Sequence, residues 1–189
     1  MSKKNIRTIT SILLGISLFA YGAWQAQQKP RKNVSGVDQF RVIKVIDGDT
    51  VEIDYYGQTT KLRLIGLDTP EVVDPRKPVQ CFGREASAHA HELLDGKKII
   101  LESDPVAGET DKYSRKLAYI FLEDGKNFAE AMIRDGYGHE YTYQSQAYKY
   151  QTSFKAAEAE ARSSSRGLWS PDTCSGDTKK SVLRNSSSG

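Results

Sequence analysis

The stretch "VIKVIDGDTVEID" (residues 42–54) decides the fold. Two runs rich in β-branched residues flank an Asp-Gly pair, which predicts a hairpin turn at Asp47 and Gly48. Gly takes positive φ at no steric cost, and Asp tolerates it better than most residues. That turn leaves a second carboxylate, Asp49, where the next strand should start. An isolated carboxylate there is only a solvated group, whereas one with partners holds something.

The β pattern continues on both sides of this hairpin. "FRVIKVI" (40–46), "TVEIDYY" (50–56) and "TKLRLIGL" (60–67) read as three successive strands with turn residues between them. "GREASAHAHELLDG" (83–96) changes to helical spacing, with Ala86, Ala90, Leu93 and Leu94 on one side and Gly96 as the stop. "KKIILESD" (97–104) and "RKLAYIFL" (115–122) predict a fourth and a fifth strand. "NFAEAMIRDG" (127–136) predicts a short helix. A longer helix is expected from about Gln144 to Arg162, with Ala147, Tyr150, Phe154, Ala157 and Ala161 spaced for one face. Three strands, a helix, two strands and two helices define an α+β fold, mainly β. The expected architecture is an OB-type five-stranded Greek-key barrel with three helices.

At 189 residues the chain holds one domain with a sizeable core plus tails. The net charge of +3 resides in the amino terminus: with Lys3, Lys4 and Arg7 set aside, the rest is balanced. Bulk charge therefore gives no nucleic-acid signal, and any electrostatic case must be local. Residues 1–28 combine that basic head with an uncharged stretch from Thr8 to Gln28 that is apolar at its centre. They read as a signal peptide or an uncleaved membrane anchor. The expected location is extracytoplasmic, secreted or anchored to the outer face of the cytoplasmic membrane. Membrane contact is expected only through this segment if it is not removed. Residues 29–39 read as a linker, 40–174 as the folded domain, and 175–189 as a disordered Ser-rich tail. Cys81 and Cys174 are the two cysteines of the exported part. An oxidising environment favours a bridge between them, worth about 4 kcal/mol in the chain-entropy account, with two free thiols as the alternative.

The chemistry gathers around three places. Arg63 interrupts the apolar third strand, where a guanidinium needs water or an anion. Directly after that strand come Asp68, Thr69, Pro70 and Glu71, and the proline holds Thr69 extended, restricting its carbonyl. If the strand ends carrying Asp49 and Asp68 meet, they form an oxygen-only site, which selects a hard cation such as Ca²⁺ or Mg²⁺. "TDKYSR" (110–115) adds Lys112, Tyr113 and a second guanidinium, Arg115. Two arginines beside a hard metal suit a phosphodiester. Glu71 could orient or deprotonate the attacking water.

In their order, "VIDGDTV", "RLIGLDTPE", "GREAS", "TDKYSR" and "RGLW" closely resemble the staphylococcal nuclease (thermonuclease) family, over about 40–169. The resemblance implies an OB-type barrel with three helices and Ca²⁺-dependent hydrolysis of DNA and RNA. It implies that Asp49, Asp68 and the Thr69 carbonyl hold calcium, with Asp111 supporting that region from behind. Arg63 and Arg115 would clamp the phosphate, Arg115 toward the leaving oxygen, and Glu71 would position or activate water. Lys112 and Tyr113 match residues that grip a neighbouring phosphate, and Tyr141 and Tyr143 match a pair near the nucleotide, where a ring can stack on a base. Ser114 departs from the family, which usually has Gly there. The rival reading is a non-catalytic OB-fold module that binds nucleic acid, but such a module need not keep Asp49, Arg63, Asp68, Glu71 and Arg115 together. A monomer is expected. His89, His91 and His139 read as surface residues, and Trp169 as an anchor for the last turn.

Overall fold

The structure, a computed structural model, describes residues 37–73 and 78–179. The proposed signal or anchor segment (1–28), most of the linker and residues 180–189 lie outside the described residues. Five strands close into a barrel: β1 (Gln39–Asp47), β2 (Thr50–Tyr55), β3 (Gln58–Leu64), β5 (Lys98–Glu102) and β6 (Lys116–Phe121). Around the barrel the order is β1-β2-β3-β6-β5. The pairings are antiparallel except β3 with β6, which run parallel. Two-residue strands β4 (Leu67–Asp68) and β7 (His139–Glu140) pair beside it. Three helices complete the fold: α1 (Gly83–Leu94), α2 (Phe128–Arg134) and α3 (Gln151–Ser163).

The strands have this form because apolar residues alternate with polar ones at the period of the pleat. Val51 and Ile53 of β2 and Leu62 and Leu64 of β3 are buried, with Arg63 directed to the other side. The helices close the core with residues about one turn apart: Ala86, Ala90 and Leu94 in α1, Phe128 and Met132 in α2, Phe154, Ala157 and Ala161 in α3.

Two sequence expectations need correction here. In the first hairpin Asp47 pairs with Thr50, so the turn residues are Gly48 and Asp49, and Asp49 belongs to the turn rather than to the next strand. Gly48 does not adopt positive φ; a Cβ there would come within 2.6–2.9 Å of the Thr69 side chain, so close packing requires the glycine. The last long helix starts at Gln151 rather than near Gln144. Residues 143–145 form a 3₁₀ turn instead, with Gln144 and Ser145 at positive φ. The segment is pinned by side chains that helical periodicity cannot reveal: the Tyr148 hydroxyl donates to Glu140, the Tyr150 hydroxyl to Glu102, and the Lys149 N–H to Asp104.

The start of the expected disordered tail is also structured. Gly176 N–H donates to Leu168 carbonyl at 2.8 Å, Cys81 N–H donates to Thr178 carbonyl at 3.0 Å, and Cys81 is joined to Cys174 by a disulfide. β1 likewise begins one residue inside the expected linker, at Gln39.

Asp104 joins the segment after β5 to the segment before α3, and both border the site. It is 2% exposed and accepts from the Tyr119 hydroxyl (2.6 Å), Val106 N–H (2.8 Å) and Lys149 N–H (2.9 Å). Burial pushes this carboxyl up, but the hydrogen bonds from Lys149, Tyr119, Val106 and Ala107 outweigh it and hold the group below the ordinary carboxylate range. The unfolded chain therefore takes up a proton here more readily than the folded one. The stability this contributes is complete above about pH 4 and is lost as pH falls through the folded value. Asp104→Ala leaves the buried Tyr119 hydroxyl and the N–H groups of Lys149, Val106 and Ala107 without their acceptor. It should cost about 3 kcal/mol, read by urea unfolding at pH 7, with the gap to wild type narrowing below about pH 4.

Candidate active site

Asp49, in the first turn, is 6% exposed. Its Oδ1 accepts from Thr50 Oγ1 at 2.9 Å; its Oδ2 accepts from Thr69 N–H at 2.9 Å and from Thr69 Oγ1 at 3.2 Å. The residue after β4 therefore grips the carboxylate with two donors, and the Gly48 contact is what allows the approach. Asp68, at the end of β4, leaves half its side chain exposed (54%). Arg63 stands between the two acids. Its Nη2 is 3.2 Å from Asp49 Oδ2 and 3.3 Å from Asp68 Oδ1, while its Nη1 donates to the carbonyls of Leu67 (2.7 Å) and Leu64 (3.2 Å). The expected meeting of the two strand ends is thus present, spanned by one guanidinium.

A third carboxylate belongs to the group. Burial first, then the Asp49 charge and a hydrogen bond between the two side chains, push Asp47 up to about 7. Asp68 is also pushed up, by partial desolvation and by Asp49, against the pull of Arg63 and His139, with Glu71 adding to the crowding. Asp49 thus acts on both Asp47 and Asp68, and Glu71 on Asp68, beside the one guanidinium that pairs with Asp49 and Asp68, an acidic grouping that favours added positive charge. Among the described residues there is no cluster of three His, Cys, Asp or Glu side chains arranged to hold a metal. The donor set that fits is two carboxylates, Asp49 and Asp68, with the Thr69 backbone. It is all oxygen, as a hard cation prefers.

Beside this cluster a cavity of about 510 Å³ opens between β3, the 106–117 segment and the 141–148 segment. Eight of the sequence-predicted residues line it: Arg63, Asp68, Asp111, Lys112, Tyr113, Arg115, Tyr141 and Tyr143. The parallel pairing of β3 with β6 explains the meeting of the arginines. It sets Arg63 opposite Leu117, so Arg115 precedes β6 on the neighbouring strand. Arg115 is fixed by Asp111, whose Oδ2 lies 2.6 Å from both Nε and Nη2. Burial pushes the Asp111 carboxyl up, but the backbone and guanidinium of Arg115 and the N–H of Tyr113 hold it below the ordinary range. Lys112 Nζ and the Arg115 guanidinium flank the Tyr113 ring, 5.0 and 5.4 Å from its centre. Tyr113, Tyr141 and Tyr143 are exposed, and the last two rings lie 6.5 Å apart. The Tyr141 N–H donates to Gly66 carbonyl at 3.0 Å, which fixes that side of the cavity to the end of β3. Ser114 adopts φ 61°, a left-handed conformation that costs a non-glycine residue about 1 kcal/mol.

Asp49, Thr69 and Glu71 do not line the cavity. Asp49 reaches it through Arg63, and Thr69 through Asp49. Glu71 lies past Pro70, where its Oε1 accepts from Val73 N–H at 2.7 Å. Its charge acts on Asp68, so it belongs to the same electrostatic group.

Sequence reasoning missed three contributors. Asp47 reads from the sequence as a turn residue only, and the available signal is that a second acid, Asp49, lies two positions on. His139 is half-buried rather than fully at the surface: its position pairs with Asp68 across β4 and β7, its ring contacts Glu158 at 3.5 Å, and it meets Trp169 edge-on. His89 is likewise covered, stacked on Tyr137 at 4.1 Å. Tyr148 lines the cavity with its hydroxyl on Glu140, where helical spacing had placed it in a helix.

Two guanidiniums and an ammonium thus line one cavity beside two paired acids, an arrangement whose chemistry suits a polyanion and a hard cation. Comparison with known proteins gives the family. The family model described as "Staphylococcal nuclease homologue" matches residues 61–171. The thermonuclease of Staphylococcus hyicus is 41% identical over 132 residues, covering 69% of this chain and 75% of that protein. The thermonuclease of Staphylococcus intermedius is 34% identical over 161 residues, covering 85% and 94%. Endonuclease YncB of Bacillus subtilis is 35% identical over 140 residues, covering 74% of this chain and 65% of its own length. The chain belongs to the staphylococcal nuclease homologue family.

Proposed function

We propose that the protein is an exported, calcium-dependent nuclease that hydrolyses the phosphodiester bonds of DNA and RNA with little sequence preference. The observation that carries this reading is the sharing of one cavity by Arg63, Arg115 and Lys112 next to the paired acids Asp49 and Asp68. Calcium held by Asp49, Asp68 and the Thr69 carbonyl would supply positive charge against the phosphate oxygens.

The chain's own residues carry the rest. Arg63 and Arg115 offer planar forks that match two phosphate oxygens each and strengthen as charge grows on them. Arg115 faces the leaving oxygen, oriented by Asp111. Glu71 positions or activates the attacking water as the new P–O bond forms and the bond to the leaving oxygen breaks. Lys112 holds a neighbouring phosphate, and Tyr113, Tyr141 and Tyr143 stack on bases. Stacking and backbone contacts read no base edge, which is why little sequence preference is expected. The uncharged segment 8–28 supports export, and the folded part acts as a monomer.

Incubating the purified protein with calcium and duplex DNA, single-stranded DNA or RNA should yield fragments from all three on a gel. Failure to cut any of them, with calcium or another divalent ion, would overturn the assignment.

A further inference from the structure

Glu71 belongs to no strand or helix. Yet a general base or water-orienting group needs its position held within a fraction of an ångström, since misplacement by about 1 Å can cost 10²-fold in rate. Something must fix it. Pro70, buried before it, restricts one side. The other restraint comes from Gln80. Its side-chain Oε1 accepts from the Glu71 N–H at 2.7 Å, and its own N–H donates to the Glu71 carbonyl at 3.0 Å. One residue thus holds the Glu71 backbone by both its N–H and its carbonyl.

Gln80 can do this because its own place is set. Its carbonyl accepts from Gly83 N–H at 3.0 Å in the turn that opens α1. The next residue, Cys81, is 4% exposed and bridged to Cys174 in the segment after α3. Gly83 lets the helix start lie against the site: a Cβ there would sit 2.7 Å from Val72 Cγ1 and 3.2 Å from the carbonyl oxygens of Pro70 and Glu71. The start of α1, locked by the disulfide, is therefore the surface against which Glu71 is seated.

We propose that Gln80 is a positioning residue for Glu71, fixing through the paired hydrogen bonds the backbone from which its carboxylate acts. The inference rests on the assignment of Glu71 as the residue that handles water, and the test separates the two. Steady-state kcat and KM for DNA cleavage are measured at saturating calcium for wild type, Glu71→Gln, Gln80→Ala, Gln80→Glu and the Glu71→Gln/Gln80→Ala double variant. Gln80→Ala should lower kcat about tenfold with KM changed less than about twofold. Gln80→Glu keeps an acceptor for the Glu71 N–H and should recover most of that loss. In the Glu71→Gln background, already slow, Gln80→Ala should lower kcat no further, because there is no carboxylate left to align. Loss of the same factor in both backgrounds would make Gln80 merely structural and overturn the inference, as would an unchanged kcat for Gln80→Ala beside a slow Glu71→Gln. Full activity of Glu71→Gln would overturn the assignment of Glu71 and, with it, the role of Gln80.

Discussion

Arg63→Lys is expected to lower kcat by about 10²–10³-fold while KM for DNA changes only a few-fold, a range typical of losing one preorganised donor to a developing oxyanion. The expectation follows from where the guanidinium sits. Its backbone belongs to β3, and Nη1 is held by the Leu64 and Leu67 carbonyls, so the fork is aimed before substrate arrives. Nη2 spans Asp49 and Asp68. Once those acids are neutralised otherwise, that nitrogen is available to a phosphate oxygen. A lysine keeps the charge but has a single nitrogen, which cannot serve the carbonyls and the phosphate together. On the proposed function, ground-state binding would draw on Lys112, Arg115 and the three tyrosines as well, so KM should move little. Only a group whose contact strengthens in the transition state separates kcat from KM in this way. Equal losses in kcat and binding would reduce Arg63 to an ordinary anion contact.

The barrel was legible in the sequence because its cues are local and redundant. Alternation in 50–64, the Gly and Asp turns, and the helical spacing of Ala86, Ala90 and Leu94 each act within a few residues and agree with one another. The candidate site was legible only as an ordered series of motifs. No spacing rule links Asp49 to Asp68 or Arg63 to Arg115, which meet through the hairpin turn and the parallel β3–β6 pairing. The errors lie where a long-range polar contact overrides a local preference. Residues 144–150 have helical spacing, but Asp104, Glu102 and Glu140 capture their backbone and hydroxyl groups and hold the segment open. That departure puts Gln146 and Tyr148 into the cavity wall, where a regular helix would run elsewhere. His139 and Gln80 have no signature at all in the chain, since each acts through a partner many residues away.

The second large effect concerns the cation. Excess EGTA should abolish cleavage, lowering the rate at least about 10³-fold, and Asp49→Asn should do the same in the presence of calcium. Asn is chosen over Ala because Asp49 is buried and its two oxygens satisfy Thr50 Oγ1, Thr69 N–H and Thr69 Oγ1. Truncating it would leave those donors unpaired and confuse folding with chemistry. The amide keeps the shape and one acceptor oxygen but removes the charge, and a neutral oxygen binds a hard cation far more weakly. Binding to the folded state alone also raises stability: calcium at about 100 times its Kd should add about 2.7 kcal/mol. Thermal unfolding of the wild type should therefore shift upward by several degrees with calcium, and Asp49→Asn should shift little or not at all. The two readouts check each other. A variant that is inactive yet still stabilised by calcium would place the ion elsewhere and leave Asp49 with another role. Undiminished turnover in excess EGTA would remove the metal from the mechanism, leaving Arg63, Arg115 and Lys112 to carry the phosphate charge by themselves.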